Sequence, residues 1–295
     1  MTVARIALVT GSNQGLGRAL VEGLATRMGP DDLVLLTGRH AGRVADAAAH
    51  VAEAPGTRSR VEGRVLDVTD ADAVARLAAE LKEQYGGVDI VVSNASAMLT
   101  PDRSQSAQAD EFIDVANGGA HAVLRSFVPV LRPGGRLVVV ASSLGTLGHL
   151  EPRLQPLFDG ASLDEVEKAV ESWRAAVHAG TAEEQGWPRW INVPSKVAQV
   201  AAVRAVAAER RAADLARNTL VAAACPGLVD TPLSRPWFTD FSGAQTPARA
   251  AVAVLDLVLS EQVEPATYGE LVRFGAVVPW HKGTPPREQD RLLCD

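Results

Sequence analysis

The stretch Thr10-Gly11-Ser12-Asn13-Gln14-Gly15-Leu16-Gly17 stands between an apolar run, Val3-Ala4-Arg5-Ile6-Ala7-Leu8-Val9, and the start of a helical pattern. Glycines at this spacing let the backbone turn tightly and come close to an anion. The helix start behind them offers unpaired N–H groups and the positive end of its dipole. The chemistry such a turn can do is to hold a pyrophosphate; with no ligand it is an ordinary strand-to-helix turn. A second apolar run ends in Leu36-Thr37-Gly38-Arg39-His40. A dinucleotide fold that holds NAD usually places an acid near this point, for the ribose hydroxyls. The guanidinium of Arg39 suits a 2′-phosphate instead, so NADP(H) is the expected cofactor unless Arg39 is only a solvated surface residue.

The chain has four lysines, Lys82, Lys168, Lys196 and Lys282, and Lys196 stands out beside a hydrophobic stretch. Asn192 precedes it by four residues, so in a helix both project from one face. An ammonium there can hold a ligand oxygen. The Asn192 amide can donate a hydrogen bond, but it carries no proton that titrates near neutral pH.

These groups need a scaffold, and the sequence patterning supplies one. Strand-like runs at 3–9, 33–37, 61–66, 88–93, 135–141, 219–224 and 270–274 alternate with Ala-rich helical patterns near 16–28, 41–53, 70–85, 107–132, 193–216 and 246–260. Strands apolar throughout and separated by helices predict an α/β fold, a doubly wound parallel sheet covered on both faces. Its ligands bind beyond the carboxyl ends of the strands. About fifty residues separate Ser143 from the helix at 193, more than a compact unit needs without structure of its own. Ser162-Leu163-Asp164-Glu165, followed by Val166, Val170 and Trp173, predicts a capped amphipathic helix inside this insertion. Residues 1–279 are expected to form one domain, with an insertion at about 145–190 contributing to a substrate pocket and an irregular tail at 280–295.

Composition narrows the function. A chain of 295 residues can bury one large core, and a net charge of −6 without a basic block excludes a nucleic-acid partner. No stretch is long enough to span a bilayer. Cys225 and Cys294 form neither a pair nor a metal spacing, which fits a reduced, cytoplasmic setting. No histidines or acids have metal-ligand spacing, so no metal is expected.

Together the motifs resemble the short-chain dehydrogenase/reductase family over nearly the whole chain. Besides the turn at 10–17, Asp67-Val68 falls where the family contacts the adenine ring. Ser93-Asn94-Ala95-Ser96 is similar to the Asn-Asn-Ala-Gly element that lines the cofactor cleft, with both ends altered and Asn94 and Ala95 kept. Pro226-Gly227-Leu228-Val229-Asp230-Thr231 resembles the Pro-Gly-x-Val-x-Thr segment beside the nicotinamide carboxamide. Asn117, Ser143 and Lys196 fall at the family's catalytic asparagine, serine and lysine. The long insertion and Gly186-Trp187-Pro188 resemble the monomeric NADPH-dependent carbonyl reductases, which implies a monomer.

One departure bears on chemistry. Asn192-Val193-Pro194-Ser195-Lys196 stands where the family reads Tyr-x-x-x-Lys, so Asn192 replaces the proton-donating tyrosine. The resemblance implies hydride transfer to a carbonyl carbon, with serine donating a hydrogen bond to the growing oxyanion and lysine holding the nicotinamide ribose. General acid catalysis, typically about a hundred- to ten-thousand-fold, would be lost or reassigned. Three readings stay open. The first is an atypical oxidoreductase that passes hydride to a quinone, conjugated enone or iminium of a bulky, aromatic small molecule. Its proton would come from a water held by Asn192 or from His149. The second is non-redox cyclisation, dehydration or isomerisation on a bound NADP(H) scaffold. The third is a silent NADP(H) sensor. His149, Trp190 and Trp237 are the expected substrate-pocket residues, with Trp187 and Phe238 as further candidates. For Trp173 and Trp187, packing of the insertion onto the core is an equal alternative.

Overall fold

The computed structural model describes residues 4–281. Eight strands form one sheet in the order β3-β2-β1-β4-β5-β6-β7-β8. They are β1 (Ile6–Val9), β2 (Leu33–Gly38), β3 (Arg60–Val65), β4 (Val88–Ser93), β5 (Leu131–Val140), β6 (Leu220–Cys225), β7 (Leu271–Arg273) and β8 (Ala276–Val278). The first seven pair in parallel; β8 turns back antiparallel on β7. β1, β2 and β6 are buried along their whole length, as strands covered on both faces must be. Two apolar clusters, one on each face, form the core.

The helices are α1 (Gly15–Arg27), α2 (Ala41–Glu53), α3 (Ala71–Tyr85), α4 (Gln105–Ile113), α5 (Gly119–Phe127), α6 (Leu163–Ala179), α7 (Asn192–Ala216) and α8 (Pro247–Leu259). Strand order reverses direction of growth at β1/β4, which opens a crevice at the carboxyl ends of these strands.

The expected insertion helix is α6, closed at its N-terminus by a capping box between Ser162 and Glu165. Arg174 and His178 tie it to Asp110 of α4, and Arg174 also reaches Asp114 at 2.6 Å. Phe158, Trp173 and Trp187 meet beneath it with ring centroids 6.2 Å apart, so Trp173 and Trp187 hold the insertion on the core.

Two expectations change, and one strand is additional. The helix expected at 107–132 is two helices around a π turn, Asp114–Gly118. Strand β5 starts at Leu131, four residues earlier than expected. Its register against β4 shifts between Val88 and Ile90, which absorbs Pro133 and the two glycines after it. β8 was not foreseen, because three residues give almost no periodic signal. Trp280, in a turn, is buried, its Nε1 donating to Asp159 at 2.9 Å. Positions 282–295, including Cys294 and Lys282, lie outside the described residues, as do 1–3.

Candidate active site

Strand β1 delivers the glycine turn to the crevice. Gly11 has φ +59°, and a Cβ there would lie 2.7 Å from the Ala95 Cα. A Cβ on Gly17 would lie 2.5 Å from the Gly11 carbonyl oxygen. These two glycines are thus required by backbone packing alone. Gly15 is different: its φ is +56°, and the nearest atom to an added Cβ, Thr231 Cγ2, is 3.7 Å away. The space in front of Gly15 is therefore open cleft. The first turn of α1 has no side-chain cap and no acidic residue. Its N–H groups and dipole are left for an anion, and the turn fits a pyrophosphate.

Asn94 fastens this turn to β4. Its Nδ2 donates to the Thr10 and Gly11 carbonyls at 3.0 and 3.1 Å, while Thr10 Oγ1 accepts from the Asn94 and Ala95 N–H groups at 2.9 and 3.1 Å. Ser12 was expected to touch the cofactor. It is fully buried, with Oγ donating to Val9 O at 2.7 Å and accepting from Thr37 N at 2.9 Å. It fixes the turn and does not line the cleft.

The cleft is one continuous space of about 570 Å³. Its wall includes Gly11, Asn13, Gln14, Gly15, Leu16 and Gly17 at the turn, then Arg39, His40, Asp67 and Val68 at one end. Arg39 is exposed and pairs loosely with Glu111 of α4 at 3.3 Å. Arg43, in the first turn of α2, lines the same end. Its spacing of four from Arg39 is the signal in the sequence that marks it. Two guanidiniums here favour a ligand with a further phosphate.

At the other end the wall brings together Ser143, Asn192 and Lys196 with Cys225, at the end of β6. Gly227, Val229 and Thr231 continue it, held by a bridge between Val229 and Gln245. Pro226 stands behind the wall and offers its carbonyl to Gln245 Nε2 at 3.1 Å. Asn117 also stands behind it. Fully buried in the π turn, it donates from Nδ2 to the Ser195 carbonyl at 3.0 Å and locks α7 in place. Its position thus supports the site and does not face it.

Lys196 Nζ donates to Gln199 Oε1 at 2.8 Å, and Gln199 Nε2 donates to the Ala116 carbonyl at 2.7 Å. Burial holds the lysine down to about 8, with the nearby Cys225 thiol acting weakly in the opposite direction. Gln199 leaves no mark in the sequence, since one glutamine between Val197-Ala198 and Val200-Ala201 gives no signal of its own.

Trp190 and Trp237 form a tilted pair, centroids 5.4 Å apart, in the cleft wall. Trp237 Nε1 donates to the Leu99 carbonyl at 2.8 Å; Trp190 Nε1 is buried with no partner. Phe238 also lines the cleft, whereas Trp187 does not. His149 is not in the wall either: its Nδ1 is bonded to Thr146 Oγ1 at 2.9 Å, within the 3₁₀ turn that begins the insertion. The expectation of a pocket histidine is corrected. Neither tyrosine reaches the cleft. Tyr85 ends α3, and Tyr268 is buried, with its hydroxyl donating to Asp214 at 2.7 Å and its ionisation pushed up by burial. Among the described residues no cluster of His, Cys, Asp or Glu is arranged to hold a metal ion. No helix among them is long and apolar enough to cross a membrane.

Residues 5–151 match the family model described as short chain dehydrogenase. The chain is 30% identical to carbonyl reductase [NADPH] 1 of Sus scrofa over 292 residues, covering 96% of each. It is 31% identical to carbonyl reductase [NADPH] 3 of Mus musculus, covering 94% of this chain and 99% of that one. Among solved structures, salutaridine reductase from Papaver somniferum superposes with a TM-score of 0.74 at 22% identity, over 90% of this chain and 99% of that one.

Proposed function

Because the chain belongs to the short-chain dehydrogenase family, we propose that it is an NADPH-dependent reductase whose substrate needs no concerted proton donor. The observation that carries this reading is the continuity of the cleft. One space runs from two arginines, past an uncapped helix start, to Ser143, Asn192 and Lys196 beside a tryptophan pair. Curated relatives that carry NADPH in their names align over nearly the full chain and support the cofactor choice.

When bound, NADPH supplies a hydride. The chain's residues do the rest. Arg39, with Arg43, would hold the 2′-phosphate, and the N–H groups at Gly15 and Leu16 the pyrophosphate. Asp67 and Val68 would receive the adenine. Lys196 Nζ would hold the nicotinamide ribose, and Gly227, Val229 and Thr231 would receive the carboxamide. Ser143 Oγ and Asn192 Nδ2 donate hydrogen bonds to the substrate oxygen. Two such donors, preorganised in a shielded cleft, stabilise a developing anion without transferring a proton. Asn192 has no proton to give, so turnover favours substrates whose reduced anion is delocalised, or that end neutral. Quinones, conjugated enones and iminium ions meet this condition: the iminium ends neutral with no proton needed, and the delocalised anions of quinones and enones take theirs from water. The paired faces of Trp190 and Trp237 suit a flat, bulky, aromatic molecule.

Non-redox chemistry on a bound nucleotide remains the second reading, favoured by the absence of a tyrosine from the cleft wall. The ion pairs that hold α6 on α4 keep the insertion over that face of the molecule, which favours a monomer. Incubation with 4-deuterated NADPH and a panel of quinones, enones and iminium ions separates the readings. Deuterium in the product is expected. Turnover without label would replace hydride transfer by scaffolded catalysis, and tight NADPH binding with no turnover would leave a sensor.

A further inference from the structure

Gln199 is 2% exposed in the middle of the apolar α7, and both ends of its amide are used. A buried glutamine in an apolar helix costs desolvation of two polar groups unless each is bonded. Here Oε1 accepts from Lys196 Nζ at 2.8 Å and Nε2 donates to the Ala116 carbonyl at 2.7 Å. Ala116 lies in the π turn, where the chain departs from regular α-helical bonding. The next residue, Asn117, sends its own amide to the Ser195 carbonyl. Two amides thus cross between the π turn and α7 in parallel, and one ends on the lysine.

We propose that Gln199 is a positioning residue: it ties the Lys196 ammonium to the π turn, keeps it protonated, and so sets how that lysine faces the cleft. Among the described residues the side-chain partner of Lys196 is Gln199, not a carboxylate. The groups around its ammonium are the Gln199 carbonyl on its own helix, the Ala116 carbonyl one bond further on, and Cys225 of β6, the titratable group whose charge acts on it. The serine hydroxyls at the end of β5 do not titrate in this range. Gln199 is thus the side-chain acceptor at the ammonium, while Cys225 is the group whose charge opposes the effect of burial. One of three N–H donors is committed to it, which leaves two for a ligand. The inference rests on the proposal that Lys196 serves a bound nucleotide, but the link between the two side chains can be tested with no nucleotide present.

With only four lysines in the chain, ¹³Cε-lysine labelling gives a spectrum in which Lys196 is assigned by its loss in Lys196→Met. Its titration midpoint is then read in the apo protein, in Gln199→Leu and in Gln199→Glu. A hydrogen bond to a charged group corresponds to about one to two pKa units, so Gln199→Leu should lower the midpoint by about that much. Gln199→Glu should raise it above the wild-type value by placing a carboxylate beside the ammonium. Circular dichroism confirms that each variant is folded. A midpoint unchanged in either folded variant would overturn the assignment and leave Gln199 as a mere clamp between helices. If Gln199→Leu does not fold, Gln199→Glu alone decides. If the midpoints shift as stated but NADPH does not bind, the fault lies with the proposed function and not with this link.

Discussion

Replacing Lys196 by methionine should flatten the pH dependence of stability between pH 7 and pH 10. Burial holds the folded-state ionisation of Lys196 at about 8, against 10.5 for the unfolded lysine. Between these values the unfolded chain binds more protons than the folded one, so wild-type stability rises with pH through this window. Below pH 8 the full penalty is present; above 10.5 it is gone. The shift corresponds to about 3 kcal/mol, of which about 2 to 3 kcal/mol is regained between pH 7 and pH 10. Lys196→Met removes the titrating group and leaves Gln199 Oε1 without its donor, a roughly constant cost of about 1–3 kcal/mol that does not depend on pH. The slopes, not the absolute stabilities, are therefore diagnostic. Tyr268 titrates only above this range, because burial and Asp214 push its ionisation up, and it is common to both proteins. Urea unfolding followed by tryptophan fluorescence at pH 7, 8, 9 and 10 measures the difference. Wild type should gain about 2 to 3 kcal/mol relative to the variant over this range. Parallel curves would refute the reasoning and mean that the Lys196 ammonium is well solvated in the folded protein.

Arg39→Ala should weaken NADPH binding about tenfold and leave NADH binding unchanged, because an exposed guanidinium acts on the extra phosphate through a screened, charge-assisted contact; paired fluorescence titrations check this. Asn192→Tyr should raise kcat/KM for a simple aromatic ketone by about a hundredfold or more, the ordinary worth of a general acid, as measured by NADPH consumption. Trp237→Ala should lower kcat/KM for a bulky aromatic substrate about tenfold while leaving a small quinone within twofold, since it removes one ring of the tilted pair; the two substrates are compared on the same preparation.

Much of this architecture was legible because the central strands β1, β2, β4 and β6 are largely apolar and the helices between them amphipathic. Leu33 to Thr37 or Val88 to Ser93 can hardly be anything but buried strands between helices, and Ser162-x-x-Glu165 announces its helix. What failed to show was set by geometry that leaves no local mark. The π turn at Asp114–Gly118 has the composition of any helix, so one helix was expected where there are two. Ser12, Asn117 and Pro226 share motifs with residues of the cleft wall yet stand behind it, because a motif does not say which way a side chain points. His149 looked like a lone pocket histidine, but the insertion turns it onto Thr146. Gln199 had no partner visible in sequence; its two bonds exist only because α7 crosses the π turn at that residue. The placement of Lys196, Asn192 and Ser143 on one wall was legible from spacing and resemblance together, and from neither alone.

The central claim is that a seat for NADP(H) has been kept while the phenolic proton donor has not. Calorimetric titration of the apo protein at pH 7 with NADPH and, separately, with NADH tests it most directly. One site per chain, with NADPH at least tenfold tighter than NADH, is the predicted outcome. No heat with either nucleotide, at protein concentrations that would reveal millimolar binding, would contradict it.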